Sequence, residues 1–279
     1  MKVIKTIDQL RKELKQYRPD TTIGFVPTMG YFHKGHLSLM DKAREEAGIV
    51  VVSIYVNPTQ FGPNEDMEVY PQDFKRDEKL AIDHGVDIIF YPDNNEMYPE
   101  GYKTYVYTED LSRKLCGKSR TNHFRGVTTI VAKLFNIVQP DLAVFGQKDH
   151  QQAIILQRMV EDLNFPVKMI VAPIIREKDG LALSSRNKYL SPEERRQATV
   201  LYKALRKAKK LVECGEKSAA EIKRQITEKI ETSPLANIEY VEIVNNKDLN
   251  AAETISKGTF AAVAVFYGQT RLIDNIILK

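Results

Sequence analysis

Thr22-Ile23-Gly24-Phe25-Val26-Pro27-Thr28-Met29-Gly30-Tyr31-Phe32-His33-Lys34-Gly35-His36 decides the reading of the fold: an apolar run gives way to a turn and then to the helix-like stretch Leu37–Ala47. A short apolar run bounded by turn residues reads as a buried strand. The turn therefore carries two imidazoles, His33 and His36, to a strand-to-helix junction. At such a junction free backbone N–H groups and the positive end of the helix dipole face an incoming anion, most often phosphate. Gly35 between the rings lets backbone approach closely, and the imidazoles add donors that are neutral or cationic near pH 7. Single histidines at helix starts more often cap or pack, and two together can bind a metal. Zinc is disfavoured, because Cys116 and Cys214 are far apart and neither belongs to a Cys-x-x-Cys pair.

Outward from this stretch the pattern alternates. Strand-like runs at Thr22–Val26, Ile49–Val56, Asp87–Tyr91, Leu142–Phe145 and Val167–Val171 are separated by helix-like Leu37–Ala47, Gln72–His84, Gly126–Val138 and His150–Asp162. Such alternation predicts an α/β fold, a Rossmann-like doubly wound parallel sheet with helices on both faces. After Ser191-Pro192-Glu193-Glu194, a helix start with proline in its first turn, the order changes. Two charged helices, Pro192–Cys214 and Ser218–Thr232, precede strand-like Ile238–Val244, Thr259–Tyr267 and Arg271–Leu278. The expected organisation is a nucleotide-binding domain over 1–186 and a second, smaller α+β domain over 187–279. Domain movement at the junction could open and close the site.

Two further segments fall where ligands bind in such a sheet. Gly146-Gln147-Lys148-Asp149 follows an apolar run and precedes a helix, which puts it at the carboxyl end of a strand. Leu183-Ser184-Ser185-Arg186-Asn187 offers two hydroxyls and a guanidinium on a loop, a donor set suited to polyphosphate. Each alone reads as an ordinary turn; their order along the chain gives them meaning.

A histidine pair after the first long strand, Lys148-Asp149 after a later one, and a closing Ser184-Ser185-Arg186 loop resemble the nucleotidylyltransferase superfamily, with its H-x-G-H and K-M-S-K-S-like signatures. Pro27-Thr28-Met29-Gly30, Asn57-Pro58-Thr59-Gln60-Phe61-Gly62, His123-Phe124-Arg125-Gly126-Val127, Gly146 to Gln152 and Asp179 to Asn187 resemble, more narrowly, the pantoate–β-alanine ligase family. That resemblance implies a ligase joining pantoate to β-alanine through a pantoyl adenylate, with ATP as co-substrate. It implies ATP contacts from Met29, Gly30, Tyr31, Phe32, His33, Lys34, Gly35 and His36, then from Gly146, Gln147, Lys148 and Asp149. Further ATP contacts are implied at Ile175, Leu183, Ser184, Ser185 and Arg186. Gln60 and Gln152 are implied for pantoate, Gln60 also for β-alanine, and His36 as a proton donor.

The side chains agree with these roles. Nucleotidyl transfer spreads charge over oxygens, so positioning and electrostatic stabilisation dominate, and His33, His36, Lys148 and Arg186 supply them. Glutamines offer pantoate both donors and acceptors without a charge to desolvate. Pantoate brings its own nucleophile, so no activated serine or cysteine is required. Mg²⁺ is expected with the departing pyrophosphate; Asp77 and Asp149 are its candidate carboxylates, and the metal residue stays open. The chain departs from the usual family pattern in having Leu183 for Met, Gln147 for Glu, His150 for Tyr, and Arg120-Thr121-Asn122-His123-Phe124 for Arg-Pro-Gly-His-Phe.

Composition sets the remaining bounds. The chain has 279 residues, 43% of them hydrophobic, enough for a substantial core. No apolar run approaches about 18 residues, so no membrane span is expected. Met1 to Leu10 reads as a short strand and a helix start, not a signal sequence. Two lone cysteines fit a reducing cytoplasm. Of the 41 basic and 37 acidic residues, 16 and 12 fall from Asn187 onward, so the excess of +4 lies there and the nucleotide half is neutral. Phosphate must then be held by particular donors. The cluster Lys203, Arg206, Lys207, Lys209 and Lys210 is read as a solvated helix face, with no nucleic-acid partner expected. Asn57–Pro71 and Pro92–Asn122 are long loops of the kind that form lids or interfaces, and Tyr98, Tyr102, Tyr105 and Tyr107 suit a homodimer contact. A dinucleotide-dependent oxidoreductase is disfavoured, since no Gly-x-Gly occurs. A nucleotidylyltransferase outside the ligases would release no free AMP, and a nucleotide-binding regulator would share the fold without turnover.

Overall fold

The computed structural model describes residues 1–18, 20–63, 65 and 67–279. Asn64 and Asp66, within the long-loop expectation for Asn57–Pro71, lie outside the described residues. In chain order the first elements are β1 (Lys2–Ile4), α1 (Ile7–Lys15), β2 (Ile23–Thr28), α2 (Lys34–Glu46), β3 (Ile49–Ile54), α3 (Phe74–Asp83) and β4 (Ile88–Phe90). Then come α4 (Asn94–Met97), α5 (Cys116–Ser119), α6 (His123–Val138), β5 (Leu142–Gly146), α7 (His150–Asp162) and β6 (Lys168–Ala172). The remainder is α8 (Pro192–Gln197), α9 (Val200–Glu213), α10 (Ala219–Glu231), β7 (Ala236–Asn245), β8 (Thr259–Tyr267) and β9 (Thr270–Ile277).

The first six strands form one sheet in the order β1-β4-β3-β2-β5-β6, every pair parallel. Alternate side chains of β2 and β3 enter two different cores. Phe25 and Val51 pack with Leu10 and Leu14 of α1 and with Val131 and Phe135 of α6. Val26, Val50 and Val52 pack with Leu37 and Met40 of α2 and Ala81 of α3. Both sheet faces are thus apolar, which is why the strands read as near-continuous hydrophobic runs and helices cover both sides. Successive strands run outward from β2 through β3 to β4, and then β5 and β6 lie on the other side of β2. Strand order therefore reverses between β2 and β5, and the crevice at their carboxyl ends is where this topology binds ligands.

The last three strands form a separate antiparallel sheet, β7-β8-β9. Leu201 and Leu205 of α9 and Ile222, Ile226 and Ile230 of α10 bury against its Val263, Val265 and Tyr267. The opposite face of α9 carries Lys203, Arg206, Lys207 and Lys210 into solvent, as expected of a solvated face. Among the described residues no helix is long and apolar enough to cross a membrane.

Two expectations are corrected. The single helix expected over Pro192–Cys214 is two, because the Gln197 carbonyl meets the Tyr267 hydroxyl (3.4 Å) and the Thr199 hydroxyl turns back to the Arg196 carbonyl (3.0 Å). Local bonding of this kind competes with continuation of a helix. The Pro92–Asn122 stretch is not wholly irregular: it contains α4, α5 and a 3-10 turn at Leu111–Arg113. Tyr98, Tyr102 and Tyr105 pack edge-on in series (5.0 and 5.6 Å), and Tyr105 at its end and Tyr107 are exposed.

Candidate active site

The turn after β2 is held in an uncommon backbone shape. Gly30 and Tyr31 both have positive φ, +82° and +53°, a region that suits glycine and is sparsely used by other residues. Asp77 of α3 pins the result: its carboxylate, with a side-chain exposure of only 1%, accepts from Tyr31 N (2.5 Å) and Phe32 N (2.7 Å). This removes Asp77 as a metal carboxylate, since both oxygens are engaged inside the protein. Asp77 is instead an anchor of the turn.

The two histidines then cap α2 reciprocally. Gly35 N donates to His33 Nδ1 (3.1 Å) and His33 N donates to His36 Nδ1 (3.3 Å), a capping box built from imidazoles. The rings stack at 4.1 Å and 29°. A ring nitrogen that accepts a hydrogen bond carries no proton, so each neutral ring bears its proton on Nε2. Burial, with help from Lys148, lowers the His33 pKa to about 4. Burial, His33 and Lys148 hold His36 well below the ordinary value. The expectation of free backbone N–H groups is corrected here: those of Tyr31, Phe32, His33 and Gly35 are taken up within the turn and its Asp77 anchor. Among the ring nitrogens, the donors left for an anion are the two Nε2–H groups.

The second half of the site follows β5. Gly146 leads into a 3-10 turn, Gln147–Asp149, at the head of α7. A Cβ placed on Gly146 would meet no protein atom within 4 Å, so the strand end opens on free space. Lys148 Nζ lies 3.6 Å from Asp149 Oδ1, and Asp149 is half exposed. The turn is fastened from β9: Asn275 Nδ2 donates to the carbonyls of Gln147 (2.9 Å) and Lys148 (3.0 Å), and Gln147 Nε2 donates to Asn275 Oδ1 (3.3 Å). The neighbouring Asp274 takes the Arg176 guanidinium in a two-pronged pair at 2.6 and 2.9 Å. Burial raises the Asp274 carboxyl, opposed by Arg176 and more weakly by Lys148.

The Ser184-Ser185-Arg186 segment is not an open loop. It forms a 3-10 helix, Ser185–Tyr189, capped by Ser184 Oγ accepting from Arg186 N (3.3 Å). Leu183 N donates to the Ile175 carbonyl (3.0 Å), so these two expected contact residues are paired across the base of the segment. Lys188 of the same helix lies 4.4 Å from the Tyr31 ring centre, which brings this helix against the histidine turn. Leu183 is also close to that turn, 3.9 Å from a Cβ placed on Gly35.

Gln60 ends a 3-10 turn, Pro58–Gln60, that nests against α6 where only glycine fits: a Cβ on Gly126 would fall 2.3 Å from the Thr59 carbonyl oxygen. Gln60 Nε2 reaches Met29 Sδ (3.0 Å), and its Oε1 accepts from Asn57 Nδ2 (3.2 Å). His123 Nδ1 donates to the Gln60 carbonyl (2.8 Å), leaving Nε2 to accept from Arg120 Nη1 (3.0 Å). Burial and Arg120 keep this third ring neutral as well, with a pKa lowered to about 4. Arg120 also grips Glu65 at 2.5 and 2.6 Å.

A cleft of about 910 Å³ runs between the two sheets, its wall including Lys148, Asp149, Gln152, Ser184 and Arg186. His33, His36, Gln60 and Met29 are not part of that wall, Lys34 is exposed, and Tyr31 and Phe32 are partly or wholly buried in their turn. His150, a departure from the family pattern, lies buried edge-on against Phe260 at 4.6 Å. Sequence reasoning missed Asp77 as an anchor, together with His123, Arg176, Asp274 and Asn275. One signal was available: Asp274-Asn275 puts two polar residues side by side in a strand, so one of them must face inward.

Comparison with known proteins agrees with this architecture over the whole chain. Residues 2–277 match the family model described as pantoate-beta-alanine ligase. The chain is 53% identical to the pantothenate synthetase of Acetivibrio thermocellus over 280 residues and 55% identical to that of Thermotoga petrophila over 279, covering 100% of both chains in each case. Its structure is similar to crystalline pantothenate synthetase from Thermus thermophilus, with a TM-score of 0.95, 45% identity, and 100% and 99% of the two chains covered. It is also similar to the Francisella tularensis pantoate-beta-alanine ligase complexed with beta-gamma ATP and beta-alanine, with a TM-score of 0.82, 33% identity, and 100% and 98% covered.

Proposed function

The chain belongs to the pantoate–β-alanine ligase family, and on that premise we propose how its own side chains carry out the ATP-dependent condensation of pantoate with β-alanine. It is a ligase that forms an amide C–N bond. The pantoate carboxylate attacks the α-phosphorus of ATP and displaces pyrophosphate; the β-alanine amine then attacks the acyl carbon of the pantoyl adenylate, and AMP leaves.

In this reading His33 and His36 bind phosphate oxygens through Nε2–H, as hydrogen-bond donors that begin neutral. Lys148 and Arg186 supply fixed positive charge for the negative charge that builds at phosphorus. Met29 to His36, Gly146 to Asp149, Ile175 and Leu183 to Arg186 surround the nucleotide. Gln60 and Gln152 hold pantoate, Gln60 also standing near β-alanine. The observation that carries the reading is the pair of neutral imidazoles beside Lys148 at the reversal point of the sheet. Magnesium fits as a partner of the phosphates with Asp149 as its protein carboxylate, a mode that needs only one or two such ligands. Among the described residues no group of three His, Cys, Asp or Glu could form a cage. When bound, the ion would neutralise the leaving pyrophosphate.

Coarser features join the proposal. We divide the chain at 186/187, supported by the separate core of α9, α10 and β7–β9, although Leu181 already reaches into that core. A homodimer is proposed from the exposed Tyr105 and Tyr107, and a cytoplasmic location from the two unpaired cysteines. The test of function is incubation with ATP and Mg²⁺, with and without pantoate and β-alanine, following pyrophosphate and AMP. Pyrophosphate released in step with enzyme by pantoate alone, and AMP turnover only after β-alanine is added, is the expected result. Absence of both would defeat the reading.

A further inference from the structure

Two adjacent residues of β9 reach toward both segments expected to face phosphate, one directly and one through Arg176. Asp274, 2% exposed, holds Arg176, whose Nη1 also donates to the Gly180 carbonyl (3.1 Å) at the base of the segment leading to Ser184. Asn275, 4% exposed, holds the two consecutive carbonyls of Gln147 and Lys148. Side chains at neighbouring strand positions point to opposite faces, so one strand can reach both segments at once. The donors are unambiguous, because two carbonyl oxygens can face only the NH₂ of the Asn275 amide, which leaves Oδ1 for Gln147 Nε2.

We infer that Asn275 is a positioning residue for Lys148: by fixing the carbonyls of Gln147 and Lys148 it sets where the ammonium stands in the cleft, so the C-terminal sheet is part of the nucleotide site. The inference rests on the proposed role of Lys148. A turn of three residues at the head of a helix has few bonds of its own, and a lysine has four flexible side-chain torsions. Pinning the peptide at Lys148 removes backbone freedom that would otherwise add to that side-chain freedom. The pairing also explains why glutamine is accommodated at position 147: its amide donates to Asn275 Oδ1, which a carboxylate could not do.

The test is steady-state kinetics of Asn275→Leu and Asn275→Ser in the full-length protein, assayed well below each variant's measured Tm, with Lys148→Ala alongside. Asn275→Leu has a branched shape and no donor, and kcat/KM for ATP should fall roughly 100-fold, the scale of a 1 Å misplacement at a reacting centre. Asn275→Ser, which keeps one donor, should lose less. The KM for pantoate should stay within about twofold in both, since Gln60 lies on another segment and Gln152 sits inside α7, beyond the two carbonyls that Asn275 holds. Unchanged ATP kinetics in both variants would overturn the inference, as would a parallel loss in ATP and pantoate parameters, which marks a general structural role. If Asn275→Leu fails to fold, Asn275→Ser decides on the same criteria. If Lys148→Ala keeps wild-type kinetics, the role of Lys148 falls and this inference with it; if only the Asn275 variants are silent, the role of Lys148 stands.

Discussion

The turn at the head of α2 and the turn at the head of α7 face the same crevice, yet they are held by opposite means. The histidine turn closes largely on itself: its cap bonds join residues two and three apart, with Asp77 and its neighbour Arg76 on α3 as distant anchors. The Lys148 turn is fastened by Asn275, 127 positions along the chain. One half of the site is thus built by local sequence, whereas the other depends on a second domain docking correctly. The contrast teaches that equivalent places in a fold can carry different risks: the first fails when its own residues change, the second also fails through residues that no motif contains.

The largest effect that would break this comparison is chemical. His36→Ala and Lys148→Ala should each slow adenylate formation by about 10²–10³-fold with little change in pantoate binding. Gln60→Ala and Gln152→Ala should do the reverse, raising the KM for pantoate more than they lower kcat. Single-turnover pyrophosphate release separates the two patterns, and equal effects on both quantities in all four variants would contradict the roles.

Next in size is the docking itself. Arg176→Ala leaves the buried Asp274 carboxylate without its partner and should cost about 3–5 kcal/mol of stability. Denaturant unfolding would read this as a lower midpoint, and a loss under about 1 kcal/mol would mean the pair contributes little to docking.

A smaller effect concerns pH. His33 and His123 have pKa values of about 4 in the fold against an ordinary 6.5, so between those limits the unfolded chain binds more protons. Stability should therefore be full above about pH 6.5 and fall as pH drops toward 4. Melting temperature against pH should slope less steeply in this window for His123→Asn, and imidazole NMR resonances should titrate near 4. A slope unchanged by the substitution would remove His123 from this account.

The smallest expected effect is none. Lys207→Glu on the solvated face of α9 should leave both turns, and hence kcat and KM for ATP, unaltered; a change of more than about threefold would tie that face to the site.

How much of this was readable in advance follows the same division. Apolar runs bounded by turns gave the five strands β2–β6 to within two residues, since burial in the sheet leaves a continuous hydrophobic signature. Leu37, Met40 and Ala43 mark the inner face of α2 by helical spacing. The break at Thr199 was not visible, because one of the two bonds made there comes from Tyr267 on a distant strand. Asp77 was read as a candidate metal carboxylate for the same reason: nothing in its neighbours says that two amides from residues 31 and 32 will meet it. At the site, histidines and lysine announced themselves by residue type and spacing. The groups that aim them, Asp77 and Asn275, are ordinary polar residues whose partners are brought close only by the fold.

The reciprocal histidine cap carries a lesson for ligand design. With Nδ1 of each ring engaged inside the protein, the surface offered to a visitor at these two residues is a pair of N–H groups and not a pair of cations. A compound aimed at them has to present lone pairs in the right places; added negative charge helps at Lys148 and Arg186 but is not what the rings themselves reward. Uncharged oxygen acceptors spaced to match two stacked imidazoles would suit this corner of the crevice, and such groups enter cells more easily than phosphates do.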